Sequence, residues 1–166
     1  MVLLSVKLWG FRVKVGDVKM FMGQFNYSLD SKGRVVIPQE FRKLMGTNVV
    51  INKGFERCVT IYTISGFDDF VKRTVASLDP LREDDRKIKR FIMGSSFNKE
   101  IDSQGRVTLD KALIDYAKIT KEVVVVGNDD CIEIWDINEW ENVDDQRDQQ
   151  IVSIGNSIAD RNLNAK

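Results

Sequence analysis

The sequence predicts a mainly β protein with short helices, in which two copies of one unit form a small barrel with pseudo-two-fold symmetry. The copies are residues 25–35 and 97–107, which are identical at seven of eleven aligned positions. Apolar and polar residues alternate on both sides of a shared Asp-Ser-x-Gly turn, which is the pattern of half-buried strands. One unit has four predicted strands and a single helix and buries too little alone, so we expect the two units to share one core.

Each copy begins with a predicted β-hairpin. In the first copy the alternation of apolar and polar residues pauses at Asp30-Ser-Lys-Gly33 and then resumes. Asp30 starts the turn because its side chain can accept hydrogen bonds from the nearby backbone, and Gly33 supplies the positive φ that closes it. The second copy repeats this turn.

A short helix and two further strands complete each unit. Residues 38–46 predict the first helix, with Pro38 near its first turn and Gly46 after its end. In the second unit, Asp110 is the predicted side-chain cap of the corresponding helix. The further strands are predicted at residues 49–52 and 59–63 and, in the second unit, at residues 123–126 and 132–134.

The repeat divides the chain into five predicted segments. Apolar residues at helical spacing predict two helices between the units. Because Met20-Phe-Met-Gly could itself begin the chain, the first segment is either an upstream start or a genuine arm. The segments are an N-terminal extension (1–19), unit one (24–67), a helical linker (68–94), unit two (95–138) and a polar C-terminal tail (139–166), which we expect to be helical or frayed.

The composition excludes several classes of protein. None of the 166 residues is a histidine, which removes the commonest general base and a principal zinc ligand. No P-loop or GxGxxG motif is present, so we expect no enzyme, no cofactor and no metal. Cys58 and Cys131 lie in strand-like runs and are predicted as buried, reduced thiols, which favours a cytoplasmic protein. No run of about 18 apolar residues predicts a membrane span.

The residues best suited to bind a ligand lie in the two turns. These turns are Asp30-Ser-Lys-Gly-Arg34 and Asp102-Ser-Gln-Gly-Arg106. One interpretation is a structural clamp, in which the carboxylate satisfies turn amides and meets the arginine. The other is a binding site, because a guanidinium held on a rigid hairpin is preorganised for phosphate or for the O6/N7 edge of guanine. A DNA-binding protein and an assembly protein that binds other proteins both remain open on these residues alone.

The zero net charge conceals two halves of opposite sign. Residues 1–94 carry 17 Lys and Arg against 10 Asp and Glu, whereas residues 95–166 carry 8 against 15. Basic residues provide the attraction to a phosphate backbone. If the partner is DNA, we therefore expect the first unit to supply most of that attraction, and the second to contribute mainly Arg106 and assembly contacts.

Several motifs together resemble the MraZ family of bacterial transcriptional regulators, which have two SpoVT-AbrB domains. They are the duplicated strand-Asp-x-x-x-Arg-strand unit, Met-Phe-Met-Gly from residue 20 and Cys-Ile-Glu-Ile-Trp-Asp from residue 131, and the likeness covers about residues 20–143. The resemblance implies an AbrB-type swapped-hairpin, double-psi-like barrel, with identical subunits assembled into a ring. It also implies binding to double-stranded DNA in the nucleoid, at promoter repeats of the protein's own division and cell-wall operon.

The predicted DNA-binding residues combine the motif of the family with neighbouring polar and basic residues. They are Arg34, Arg106, Lys32, Gln104, Lys53 and Arg57. Four turn residues are predicted to support them: Asp30, Gly33, Asp102 and Gly105. A solvated helix face is the preferred interpretation of the remaining basic positions, which are Arg42, Lys43 and the cluster at residues 86–90.

Overall fold

A two-stranded hairpin lies within the N-terminal extension. The structure, a computed structural model, describes residues 5–8, 11–14 and 20–164. In the extension, β1 (Ser5–Leu8) pairs with β2 (Phe11–Lys14) in antiparallel register. Whether this segment is an upstream start or an arm stays a prediction.

The order of the remaining elements shows the duplication directly. The first repeat consists of β3 (Gln24–Ser28), β4 (Arg34–Val36), α1 (Gln39–Met45), β5 (Asn48–Lys53) and β6 (Val59–Thr63). Two helices follow, α2 (Ile64–Thr74) and α3 (Glu83–Gly94). The second repeat consists of β7 (Phe97–Glu100), β8 (Arg106–Thr108), α4 (Lys111–Tyr116), β9 (Glu122–Asn128) and β10 (Cys131–Asp136), and α5 (Ile137–Asn164) follows it.

The first two strands of each repeat pair with strands of the other repeat and not with each other, so the predicted turns form but the predicted pairing of each local hairpin is wrong. In the six-stranded antiparallel sheet the order is β3-β9-β10-β6-β5-β7, so β3 of the first repeat pairs with β9 of the second. In return, β7 of the second repeat pairs with β5 of the first. The strands β4 and β8 pair with each other as a separate two-stranded ribbon. This exchange confirms the predicted fold class, a mainly β, duplicated swapped-hairpin protein.

The strand registers place a pseudo-two-fold axis through the molecule. Val35 of β4 lies opposite Val107 of β8, and Thr60 of β6 lies opposite Glu133 of β10. Val35 and Val107 are aligned positions of the two repeats, as are Thr60 and Glu133 within their Cys-x-x motifs. A residue that pairs with its own counterpart must lie at the symmetry axis, so these two pairs locate it.

One hydrophobic core serves both repeats. Its members come from the ribbon, the six-stranded sheet, α1 and α4, as expected for two units that cannot each bury a core alone. Among the described strands the ladder of the sheet is not closed, because β3 and β7 are its edges. Fully buried members include Val35, Ile37, Val49, Ile51, Val59, Ile61, Val107, Leu113, Val123, Val125, Ile132 and Ile134.

Both cysteines are free and buried, which confirms that part of their prediction. Burial raises the pKa of the Cys131 thiol to about 12, and it also raises the pKa of the Cys58 thiol. A thiol with so high a pKa stays protonated at neutral pH and is a poor nucleophile. The two residues therefore act as small apolar side chains.

The short helix α1 ends as predicted, whereas the start of α4 differs from its prediction. Pro38 precedes α1, and Gly46, with φ 72°, follows it. Asp110 precedes α4, but its side chain makes no cap hydrogen bond. Instead, Asp110 Oδ1 accepts a hydrogen bond from Lys99 Nζ on β7 at 2.7 Å. The predicted cap is wrong because this ion pair engages the same carboxylate.

The two linker helices have identifiable start signals. Thr63 Oγ1 accepts a hydrogen bond from the backbone N–H of Gly66 at 2.9 Å, which caps α2. Glu83, Asp84 and Asp85 form the first turn of α3, where negative charge is favourable to the helix dipole. The prediction of helices between the repeats is thus confirmed.

The long C-terminal helix α5 packs on the six-stranded sheet near its beginning. Trp140 packs against Trp135, with ring centroids 5.7 Å apart, and Asp136 Oδ1 accepts from the backbone N–H of Asn138 at 3.0 Å. Residues 145–162 are all exposed. Across the described part of the chain, no helix combines the length and the apolar character that crossing a membrane requires.

Candidate nucleic-acid interface

Turn 1, residues 30–34, is organised by one carboxylate. Asp30 Oδ1 accepts hydrogen bonds from the backbone N–H groups of Lys32 and Arg34 at 2.9 and 3.0 Å. Asp30 Oδ2 accepts from Nε and Nη2 of Arg34 at 2.7 and 2.6 Å. Gly33, with φ 70°, closes the turn by donating its N–H to the Asp30 carbonyl at 2.9 Å. The two contacts to one oxygen fix the guanidinium and leave Nη1 outside the ion pair.

Turn 2, residues 102–106, repeats this arrangement. Asp102 Oδ1 accepts from the backbone N–H groups of Gln104 and Arg106, both at 2.9 Å. Asp102 Oδ2 accepts from Nε and Nη2 of Arg106 at 2.9 and 2.8 Å. Gly105 has φ 76° and donates its N–H to the Asp102 carbonyl at 2.8 Å. The predicted turn residues therefore come together within each turn.

The ion pairs perturb both carboxyl groups. The side-chain hydrogen bond from Arg34, followed by the backbone hydrogen bond from the same residue, lowers the pKa of Asp30 from 3.8 to about 2. The corresponding bonds from Arg106 lower the pKa of Asp102. Both carboxylates are charged at neutral pH, so each arginine is held by a full negative charge.

The two arginines share one face of the β4–β8 ribbon. They occupy diagonal positions in the register, which places the Cα atoms of Arg34 and Arg106 roughly 7–8 Å apart. The alternating residues Val35 and Val107 are fully buried in the core, so the arginine face of the ribbon points away from it. The side chains of Arg34 and Arg106 are 26% and 24% exposed. The ribbon thus brings both guanidiniums to one surface, and the turns extend beyond its opposite ends.

Each turn contacts the helix of the other repeat. A Cβ atom placed on Gly33 would lie 3.2 Å from Cδ1 of Ile114 on α4, and one on Gly105 would lie 2.6 Å from Cζ of Arg42 on α1. This follows from the exchange, since β4 runs toward turn 2 before α1 begins. Arg42 and Ile114 are aligned positions of the two repeats. The turns therefore differ in the residue that covers them.

Two of the predicted cations lie in a different place. Lys53 Nζ is 4.9 Å and Arg57 Cζ 5.8 Å from the centroid of the Tyr116 ring, and the Tyr116 hydroxyl donates to the Gly54 carbonyl at 2.6 Å. Tyr116 and Ile114 are two residues apart on α4 and project from different faces of it. Lys53 and Arg57 are thus brought together on Tyr116, on another face of α4 from the one that contacts turn 1.

Arg42 is the basic residue whose surroundings were wrongly predicted. It is half-buried, and its Nε is buried without a hydrogen-bond acceptor among the described residues. Lys43 and residues 86–90 are exposed, as a solvated face requires. When the two repeats are aligned, one signal could have shown that Arg42 is not on a solvated face. Its counterpart is the apolar Ile114, so this helix position faces protein rather than water. Its contact with turn 2 required knowledge of the hairpin exchange.

The exchanged hairpins and the paired Asp-x-x-x-Arg turns define a duplicated protein of the AbrB type. The chain belongs to the MraZ family: the family model described as "MraZ protein, putative antitoxin-like" matches residues 20–91 and again residues 92–154. The protein named transcriptional regulator MraZ from Natranaerobius thermophilus is 36% identical over 141 residues, which is 85% of this chain and 98% of that protein.

Two further relatives carry the same name. The one from Dictyoglomus thermophilum is 41% identical over 122 residues, covering 74% of this chain and 83% of its own length. The one from Moorella thermoacetica is 36% identical over 141 residues, covering 85% of this chain and 98% of its own length. These relationships confirm the predicted class, a DNA-binding transcriptional regulator, in a family of regulators rather than of enzymes.

Proposed function

We propose that the two turns are the DNA-reading elements of the protein, and that they act on promoter repeats of its own division and cell-wall operon. The observation that carries this proposal is the pair of guanidiniums, each held by a carboxylate, on one outward face of the ribbon. Lys32 and Gln104 are the exposed residues beside them in the turns.

The geometry of the ion pair supports a contact with bases or phosphates. Asp30 engages Nε and Nη2 of Arg34, so Nη1 stays available to a ligand oxygen or to N7 of guanine. Because the guanidinium is already oriented, binding costs less side-chain entropy than it would for a freely rotating arginine. The same holds for Arg106 in turn 2.

Lys53 and Arg57 have a second role in this proposal. Their position on Tyr116 is separate from the turns, and neither residue forms an ion pair among the described residues. They would therefore neutralise phosphates beside the reading site and add affinity without sequence preference. The excess of basic residues in the first half of the chain supports this assignment.

Self-association into a ring of identical subunits is part of the proposal. Large apolar side chains are exposed outside the two turns, which supports contacts between copies. A ring would place many turns along repeated DNA sites, and avidity would strengthen a weak contact per subunit. We place this assembly in the cytoplasm, on the nucleoid, and propose that it has no enzymatic activity. The exposed side chains include Phe55, Leu81, Phe97, Ile151, Val152, Ile154 and Ile158.

A second candidate function is protein–protein assembly through the duplicated barrel. The specific observation in its favour is that both arginines form ion pairs within the chain, as a purely structural clamp would. Their partial exposure favours the DNA-reading role instead. The two candidates differ in salt dependence, because phosphate contacts release counterions and weaken steeply as salt rises.

The test is a gel-shift titration with the duplex immediately upstream of the protein's own reading frame. The double variant Arg34→Ala/Arg106→Ala should lose at least ten-fold in affinity for this duplex, because a hydrogen bond from a charged group contributes about 1.5–3 kcal/mol and two such groups are removed. Arg161→Ala, which removes an exposed arginine of α5, serves as the matched control and should bind as the parent does.

Circular dichroism and thermal melting establish that the double variant is folded. A folded double variant with unchanged affinity would exclude the turns as reading elements. Salt-independent binding by the parent protein would favour the assembly role.

A further inference from the structure

Arg42 of α1 lies against turn 2 and brings a positive charge that residues 102–106 do not themselves supply. The side chain of Arg42 lies against Gly105 and helps to bury it, whereas Gly33 of turn 1 is only half-buried. Arg42 Nε is buried without an acceptor, and no ion pair among the described residues includes Arg42. The contact fixes an arginine beside turn 2 and leaves its charge uncompensated within the described chain.

This cation equalises the charge of the two turns. Turn 1 has two cations, Lys32 and Arg34, against one carboxylate. In turn 2, Gln104 replaces the lysine, so the cation and the carboxylate of that turn cancel. Arg42 supplies the second positive charge there, whereas its counterpart Ile114 adds none to turn 1. Each turn thus has a net charge of +1, although the second cation comes from a different place.

On the basis of the DNA-binding function proposed above, we propose that Arg42 is a contact to the DNA backbone at turn 2, supplied by the opposite repeat. Its ligand is a phosphodiester group, because the charge balance concerns attraction and not base identity. Packing on Gly105 holds the side chain in place before DNA arrives, so little of its conformational entropy remains to be lost.

The experiment replaces Arg42 by the residue of the other repeat. Arg42→Ile is titrated by fluorescence anisotropy against two duplexes of equal length, one from upstream of the protein's own reading frame and one of mixed sequence. We expect a loss on the order of ten-fold at fixed salt on both duplexes. The slope of log affinity against log salt should shrink by about 0.9 for each turn-2 contact in the complex. Lys43→Gln, on the exposed face of the same helix, should bind as the parent does.

A rescue distinguishes a charge contact from simple packing. Gln104→Lys places a lysine in turn 2 where turn 1 has Lys32. In the Arg42→Ile background it should restore both the affinity and the slope. If Arg42→Ile fails to fold, Arg42→Met retains an unbranched stem over Gly105 and is tested in the same way.

Three results would overturn this assignment: an unchanged slope in the Arg42 variants, a loss confined to the upstream duplex, or a loss that Gln104→Lys does not repair. Each leaves the DNA-reading role of the turns intact provided that Arg34→Ala/Arg106→Ala still weakens binding to the upstream duplex at least ten-fold. Binding of neither duplex by the parent protein would reject both proposals.

Discussion

Asp30 and Asp102 decide how much freedom the two arginines have. Each carboxylate accepts two backbone hydrogen bonds and two contacts from its arginine, which uses both of its oxygen atoms. A carboxylate next to a site for a polyanion repels the ligand, so its presence requires a compensating effect. That effect is orientation of the guanidinium. Two predictions test whether each carboxylate holds its arginine in place or only adds negative charge beside it.

The first prediction concerns acid stability. Because the folded-state pKa of Asp30 is about 2 and its ordinary value is 3.8, its ion pair stabilises the folded protein fully above about pH 4. This stabilisation is lost as the pH falls through 2. The difference in melting temperature between the parent and Asp30→Asn should therefore be constant near neutrality and shrink between about pH 4 and pH 2.

Asp145→Asn is the control for this measurement, since Asp145 is exposed on α5. Its melting temperature should follow that of the parent at every pH. A difference for Asp30→Asn that does not change with pH would mean that the ion pair contributes nothing to folding.

The second prediction concerns specificity. Asp30→Asn/Asp102→Asn removes two negative charges beside the proposed DNA site, so affinity for a mixed-sequence duplex should rise. The same change loosens both guanidiniums, so the preference for the upstream duplex should fall by about an order of magnitude, the scale of one well-placed base contact. Competition anisotropy measures both quantities. A preference that survives with raised affinity would mean that the carboxylates do not orient the arginines.

At the scale of elements, the turns depend on glycines in the left-handed region. Gly33 has φ 70°, and a Cβ there would lie 3.2 Å from Ile114 Cδ1 and 3.3 Å from the Leu109 carbonyl oxygen. We expect Gly33→Ala to lower the free energy of unfolding by about 1–2 kcal/mol. Gly94→Ala is the matched control, because Gly94 ends a helix and no atom lies within 4 Å of its would-be Cβ. Urea denaturation should show the control neutral or slightly stabilised, and equal effects at both sites would contradict the strained turn.

The C-terminal helix offers a second prediction at this scale. Trp140 is 9% exposed and packs on Trp135, so Trp140→Ala should cost about 3 kcal/mol of unfolding free energy. Removal of residues 148–166, which keeps Arg147 over the Trp140 ring, should change it by less than about 0.5 kcal/mol, because residues 148–162 are exposed. Chemical denaturation of both variants measures these values. A large loss on truncation would show that the distal helix packs on the barrel or on another copy in solution.

The local elements could be predicted from sequence, because local residues determine them. Alternation of apolar residues and the Asp and Gly positions of the turn specified the strands and the turns but not the partners of the strands, and Pro38 and Gly46 bounded α1. The errors arose where distant residues compete for a local group. Lys99 forms an ion pair with the carboxylate of Asp110, and Arg42 packs against Gly105, which is 63 residues away along the chain.

For the candidate site, the sequence identified the residues that form each turn but could not show how the two turns lie relative to each other. Only the pairing of β4 with β8 places Arg34 and Arg106 as diagonal neighbours. Spacing along the chain does not contain this information, because the contact spans the symmetry axis between repeats. The exchange of hairpins was implied by resemblance to the family and not by the alternation of residues.

On the scale of the whole molecule, the exchange makes the two repeats interdependent. Every strand of the ribbon and both edge strands of the six-stranded sheet pair with a strand of the other repeat. The repeats have also diverged in charge, with the basic half of the chain preceding the acidic half. Divergence of this kind is possible because the shared core constrains the apolar positions and leaves the surface free to vary.

The interdependence predicts the behaviour of an isolated repeat. In a fragment of residues 20–94, β3 and β4 lack the strands β9 and β8 with which they pair, and about half of the shared core is missing. Such a fragment can bury its apolar face only by exchanging hairpins with a second copy. We expect it to be unfolded at low concentration and dimeric when folded, with secondary structure that depends on protein concentration.

Circular dichroism across a dilution series measures this dependence, and light scattering gives the mass of the folded fragment. The full chain is the control, and its secondary structure should not depend on protein concentration. A folded monomeric fragment would mean that β3 and β4 can pair within the first repeat. The exchanged pairing would then not be required for folding.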